Sequence, residues 1–255
     1  MKLNIVPART GLTWVKLGAA TFLRQPLALT GLFFMYMAAV LVISQVPVLG
    51  IVLAAMIVPA ATLGLMAATA EASSGRFPMP TVLLSAFRAG RQRGRAMLVL
   101  GALYTGGSLI ATVIGSLLTG GSGATAGEAP AQGVDARTVV VLVLHLPLVL
   151  LFWHAPALVH WHGVPPVKSL FFSAVACLRN IGALMVYGLA WLLVFLLAGF
   201  AISTVGMMMG GVAVARSIMM PTVLVLVAMF STSLYFTFRD SFHADDPQEL
   251  PDAVL

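Results

Sequence analysis

The sequence predicts an all-α fold, a polytopic membrane bundle of six transmembrane helices with three basic interfacial helices. Three observations predict it. Of 255 residues, 60% are hydrophobic and only 9% charged, and the mean hydropathy is +1.02. Soluble domains carry about 25% charged residues, so a surface this poor in charge has to face lipid. Apolar stretches near the roughly 20 residues that a spanning helix needs recur at about 26–45, 48–70, 96–118, 138–158, 181–204 and 215–236. Lys and Arg fall almost wholly in alternate connections.

The opening segment carries Lys2, Arg9, Lys16 and Arg24 spread along its length. No continuous apolar region precedes a small-residue cleavage site, so it does not read as a secretory signal. Projected at 100° per residue, residues 8–24 gather Leu12, Val15, Ala19 and Phe22 on one face, with Arg9, Lys16 and Arg24 on its flank. The first two spans are divided by "SQVPVLG", a tight turn containing Pro47 and Gly50. The second span repeats small residues at Ala60, Gly64 and Ala68, a face that lets helices approach closely.

The second-to-third connection holds Arg76, Arg88, Arg91, Arg93 and Arg95. Over 80–95, Leu83, Leu84 and Phe87 form an apolar face beside a stripe of Arg88, Arg91 and Arg95. Guanidiniums at that depth meet lipid phosphates and bind them bidentately. The third span carries Gly101, Thr105, Ser108, Thr112 and Gly115 on one weakly polar face. That face serves close packing, or lines a hydrophilic path.

An outer loop over 119–137 is rich in Gly and Ala. The fourth span buries His145 at membrane depth, two residues before Pro147. An intramembrane ionisable group is a functional candidate, and a neutral imidazole also serves as hydrogen-bonding glue. His154, His160 and His162 follow near the exit of that span, bracketed by Trp153 and Trp161, before "GVPP" stops the helix. Their spacings of six and two leave the rings roughly 120° and 160° out of alignment, and no Asp or Glu lies near to orient them. They read as interfacial side chains, with no metal or haem and no other cofactor.

The third basic stretch, 165–180, presents Val167, Leu170, Phe171, Ala174 and Leu178, with Lys168 and Arg179 at the edge of that face. The single cysteine, Cys177, reads as a small packing residue. "GMMMGG" divides the last two spans, and neither it nor "SIMMP" has the one-sided spacing of a copper(I) site. Residues 1–239 read as one integral membrane domain and 240–255 as an acidic, mobile cytoplasmic tail.

Twelve of the 14 basic residues then lie on one side, with only Arg137 and Arg216 on the other. That asymmetry places both termini in the cytoplasm. It also accounts for the net charge of +6 without nucleic acid. Three times a basic amphipathic stretch leads into a pair of spans, and "FLRQPLAL" lines up with "CLRNIGAL", as a possible threefold internal repeat.

In "RFPMPTVLLSAFRAGRQRGRAMLVLGALY", "FWHAPALVHWHGVPPVKSLFFSAVACLRN" and "MKLNIVPARTGLTWVKLG", the chain resembles a family of uncharacterised six-span membrane proteins from β-proteobacteria. More distantly, its plan is similar to the membrane domain attached to some glycerophosphodiester phosphodiesterases, which is not their catalytic part. The resemblance implies a bacterial inner-membrane location and carries over no activity or site residues.

Catalytic patterns are absent: no G-x-S-x-G, no H-E-x-x-H, no P-loop and no paired intramembrane carboxylates. The expected function is a non-enzymatic membrane component contacting anionic lipid headgroups, through Arg88, Arg91, Arg95, Lys168 and Arg179, or a partner protein. The alternative is a transporter or channel for a small solute or lipid, with His145, Thr105, Ser108 and Thr112 in its path.

Overall fold

A computed structural model describes residues 2–119 and 136–243. Most of the expected outer loop and the tail beyond His243 lie outside the described residues. The expected all-α class holds, with six helices long and apolar enough to cross a membrane. In chain order they are α2 (Pro26–Ser44), α3 (Gly50–Ser73), α5 (Arg91–Leu118), the α6–α7 segment (Thr138–His162), α9 (Ile181–Gly210) and α10 (Val212–Ser241). Shorter helices precede each pair: α1 (Thr10–Arg24), a 3₁₀ turn (Pro80–Leu84) with α4 (Ser85–Arg88), and α8 (Pro166–Arg179). Two-residue strands β1 (Lys2–Leu3) and β2 (Phe242–His243) pair antiparallel.

Contacts divide the chain into two compact units. One comprises residues 1–36, 64–85 and 176–255, the other residues 37–63 and 86–175.

The first unit is organised around α1, whose buried face differs from the apolar face read from sequence. Its buried residues are Gly11, Trp14, Gly18, Thr21 and Phe22, and Leu12 is left exposed. Steps of three, four and three put Gly11, Trp14, Gly18 and Thr21 on one face. The two glycines explain the packing: a Cβ at Gly11 would run into the Ala183 carbonyl, and one at Gly18 into Ser233. α1 thus lies directly on the backbones of α9 and α10. Trp14 donates its indole N–H to Asp240 Oδ2 at 2.9 Å and meets Tyr187 edge-on at 6.1 Å. Ser233 gives its only proton to the Phe230 carbonyl, so the Tyr187 hydroxyl donates to Ser233 Oγ at 2.6 Å.

α9 and α10 each run for 30 residues, about 45 Å, against a hydrocarbon core of about 30 Å. "GMMMGG" contributes less loop than expected. Met207–Met209 stay helical, and the turn is Gly211 alone at φ 80°. α3 buries Ala60, Gly64 and Ala68 as the small-residue spacing predicts, with Gly64 against the Leu83 backbone. In the "SQVPVLG" turn the left-handed residue is Val48, at φ 65°, and Gly50 opens α3.

Asn180 ties the ends of this unit together. Buried between α8 and α9, it accepts from the Val6 N–H (2.9 Å) and donates to the Asn4 carbonyl (3.0 Å) and Ser241 Oγ (3.4 Å). The β1–β2 pair lies beside this clasp. Residues before the first span and after the last therefore meet, which requires an even number of crossings. Residues 240–243, assigned to the tail from sequence, belong to this packed structure through the Trp14 bond and the strand pair.

The second unit packs Ala60 and Leu63 of α3, Ala86 of α4, Met97 and Leu100 of α5, and Leu148, Phe152, Ala155 and Val159 of the fourth span into one core. Gly101 lies against the Met56 backbone, Gly107 against Leu148 and Gly115 against Val141.

Asn180→Ala should lower the thermal midpoint of the purified protein. It removes a partner from the part-buried Val6 N–H and Asn4 carbonyl, at about 1 kcal/mol for each hydrogen bond lost. Intrinsic tryptophan fluorescence during melting checks it, and a midpoint within error of wild type contradicts the clasp.

Candidate lipid-headgroup site

The basic stripe expected over 80–95 is not one helix. The chain leaves α4 at Arg88, turns through Gly90 at φ 102°, and starts α5 at Arg91. That φ is one a residue with a Cβ rarely adopts. The corner, not a continuous stripe, brings the arginines together. Phe87, Arg88, Gly90, Arg91, Gly94, Arg95 and Leu98 line a single surface hollow of about 680 Å³. Arg88, Arg91 and Arg95 are exposed, as are Phe87, Leu98 and the neighbouring Leu84. Exposed apolar side chains beside exposed guanidiniums are what the boundary between acyl chains and phosphates requires.

The corner gathers positive charge at a helix start. The positive end of the helix dipole lies at its N-terminus, where acidic residues stabilise and basic ones destabilise, by about 0.3–1 kcal/mol each. α5 has no acidic residue in its first turn and opens with Arg91, Arg93 and Arg95. Among the described residues no ion pair engages Arg88, Arg91, Arg93 or Arg95; the pair present there is Arg239–Asp240. By contrast, Arg88 closes the single turn of α4, and Arg24, Arg179 and Arg239 occupy last turns, where the dipole favours them.

On α8, Lys168 and Arg179 are exposed together with Val167, Phe171 and Leu178, as the amphipathic pattern predicts. Its buried face is made of small residues, two of them polar: Ser169, Ser173, Ala176 and Cys177. Arg88, Arg91 and Arg95 share one hollow, which neither Lys168 nor Arg179 lines.

The intramembrane candidates do not form one path. Thr105 is buried and gives its hydroxyl to the Gly101 carbonyl of its own helix. Thr112 gives its hydroxyl to the Ser108 carbonyl. His145 Nδ1 meets the Val141 carbonyl at 2.8 Å; a carbonyl only accepts, so that nitrogen carries the proton. The acceptor lies one turn back on the same helix, not on another helix and not at the position freed by Pro147. His145 and Thr112 do share a mostly apolar surface groove with Thr138, Val141 and Leu142, and Thr105 and Ser108 do not line it.

His154 differs most from its sequence reading. It is buried rather than interfacial, and it sits where the fourth span breaks between α6 (Ala136–Phe152) and α7 (Ala155–His162). Pro156 explains the break, because its ring would clash with the Phe152 carbonyl of a continuous helix. Ser173 of α8 repairs it: the hydroxyl accepts from the His154 N–H at 2.9 Å and donates to the Leu150 carbonyl at 2.8 Å. α7 then ends, as "GVPP" predicts, at Gly163 with φ 65°. Among the described residues no three His, Cys, Asp or Glu side chains gather as a metal site would need.

The chain is 37% identical over 262 residues to a Burkholderia thailandensis protein named a probable inner membrane protein, covering 97% of this chain and 96% of that relative. No protein-family model and no solved structure matches it.

Ser173→Ala should destabilise the second unit by about 1–3 kcal/mol, because it removes the hydroxyl that bonds both the His154 N–H and the Leu150 carbonyl across the break. Ser173→Thr, which keeps the hydroxyl, should cost less. Denaturation of both variants in detergent checks the order, and equal stability of Ser173→Ala and wild type contradicts the repair.

Proposed function

The chain belongs to the family of this probable inner membrane protein, and we propose that it is a non-enzymatic membrane component that holds an anionic lipid headgroup at the Arg88–Arg91–Arg95 hollow. The observation that carries this reading is the convergence of three exposed guanidiniums on one hollow, two of them, Arg91 and Arg95, at a helix start where positive charge is least tolerated. A bound phosphate would accept bidentate hydrogen bonds from the forks and offset both the mutual repulsion and the dipole. Phe87, Leu84 and Leu98 fit the adjoining acyl region. Lys168 and Arg179 fit the same headgroup layer on α8.

In this reading the basic side is cytoplasmic, with both termini in the cytoplasm and the 119–137 loop on the outer side. The likeness to the membrane domain attached to some glycerophosphodiester phosphodiesterases agrees with it, as a membrane part without catalytic machinery. A transport path through Thr105, Ser108, Thr112 and His145 has less support. The hydroxyls of Thr105 and Thr112 and the Nδ1–H of His145 are each given to a backbone carbonyl of their own helix.

Two experiments test the proposal. A reporter fused after Leu255 should read as cytoplasmic and one inserted at Gly123 as periplasmic; the reverse pattern removes the orientation. Changing Arg88, Arg91 and Arg95 together to Gln should leave insertion intact. At about 1 kcal/mol per arginine, it should weaken anionic-lipid binding up to roughly 100-fold. Retention of phosphatidylglycerol unchanged in the correctly inserted variant would make the cluster a topology signal only.

A further inference from the structure

Arg93 is the one arginine of "RAGRQRGR" that does not line the hollow described above. Arg91 and Arg95 lie one turn apart on α5, and Arg93 is turned about 160° away from each. It faces a second hollow, of about 320 Å³, with Gln92 and Ala96 of α5, Val159 of α7 and the Gly163–Pro166 turn. Arg93 and Gln92 are both exposed there. Among the described residues no carboxylate pairs with Arg93. The turn delivers the N-terminus of α8, whose first turn also holds no acidic residue, so the positive end of a second helix dipole adds to the guanidinium. A guanidinium fork and a carboxamide donor suit a phosphate ester, and Val159, Val164 and Ala96 give the rim an apolar side.

The first turns of α5 therefore have an anion-attracting hollow on either side. The second has about half the volume of the first, which suits a phosphate better than a whole headgroup with its own chains. Between them the helix opens on Gly90, where no side chain blocks a bridge across the helix end.

We infer that the hollow at Gln92 and Arg93 takes the second phosphate of a two-phosphate glycerolipid, of the diphosphatidylglycerol class, whose first phosphate sits on Arg88, Arg91 and Arg95. This rests on the headgroup reading given above. Arg93 then sets the preference for two linked phosphates over one, while the triad supplies attraction to any anionic lipid.

The test uses the full chain in detergent, with bound lipid counted by native mass spectrometry after adding cardiolipin or phosphatidylglycerol. Wild type should bind one cardiolipin per chain and prefer it to phosphatidylglycerol. Arg93→Gln should lower cardiolipin affinity about fivefold and leave phosphatidylglycerol unchanged, and Arg93→Lys should keep most of the preference. Millimolar inorganic phosphate should not displace the lipid. Three results would overturn the inference: unaltered cardiolipin affinity in Arg93→Gln, equal losses for both lipids, or displacement by inorganic phosphate, which would mark a free-phosphate site. The Arg88, Arg91, Arg95 triple variant separates the two claims. If it too keeps all its lipid, the headgroup reading itself falls; if it loses lipid and Arg93→Gln does not, only the second-phosphate inference falls.

Discussion

Inside a bilayer no water is available to a backbone N–H or carbonyl, so each has to find its partner within the protein. The structure depends on that constraint throughout. Along the spans, Thr62, Thr69, Thr105, Thr112, Thr204, Thr222 and Thr232 all return their hydroxyls to carbonyls four residues back. Where Pro156 interrupts the fourth span, one hydroxyl from α8 serves both broken ends. Where the chain enters and leaves the bundle, Asn180 meets donors and acceptors from segments 176 and 61 residues away in sequence. The same constraint explains why His145 and the threonines of α5 turn to carbonyls of their own helices.

Satisfying the backbone inward leaves charge as the property that distinguishes one membrane face from the other. Some cations of the described chain sit where a helix dipole or a carboxylate supports them, as Arg24, Arg179 and Arg239 do. The start of α5 differs in how many it gathers. Four arginines within eight residues surround a helix N-terminus, without a carboxylate partner among the described residues. Topology alone needs positive charge on that side; it does not need the charge gathered at a helix start around hollows. An anionic ligand is the physical complement of that arrangement.

The class of the fold and its six spans are legible in the sequence because length and hydropathy depend on composition alone. The small face Ala60–Gly64–Ala68 and the stop at Gly163 are legible too, since each is a local rule. What the sequence hides is set by tertiary partners. Leu12, Val15 and Phe22 mark the apolar face of α1, while Gly11 and Gly18 turn another face onto α9 and α10. The glycine spacing was the available signal. Pro156 signals a break beside His154, whereas Ser173 as its repair lies 19 residues on and cannot be read from local pattern. At the site, the three arginines are legible as a cluster, but their convergence depends on Gly90, and a continuous helix through 80–95 would have misplaced Arg88. Arg93 drops out of a single-stripe reading because the second hollow borrows its other wall from α7 and the turn into α8.

The measurement that bears most directly on the account is native mass spectrometry of the wild-type protein extracted from its own membrane, followed across a salt titration. The account predicts anionic phospholipid retained far above its share of the membrane, in a small whole number per chain, and released as rising ionic strength screens exposed charge. Lipid retained in the proportions of the bulk membrane, and indifferent to salt, would contradict it.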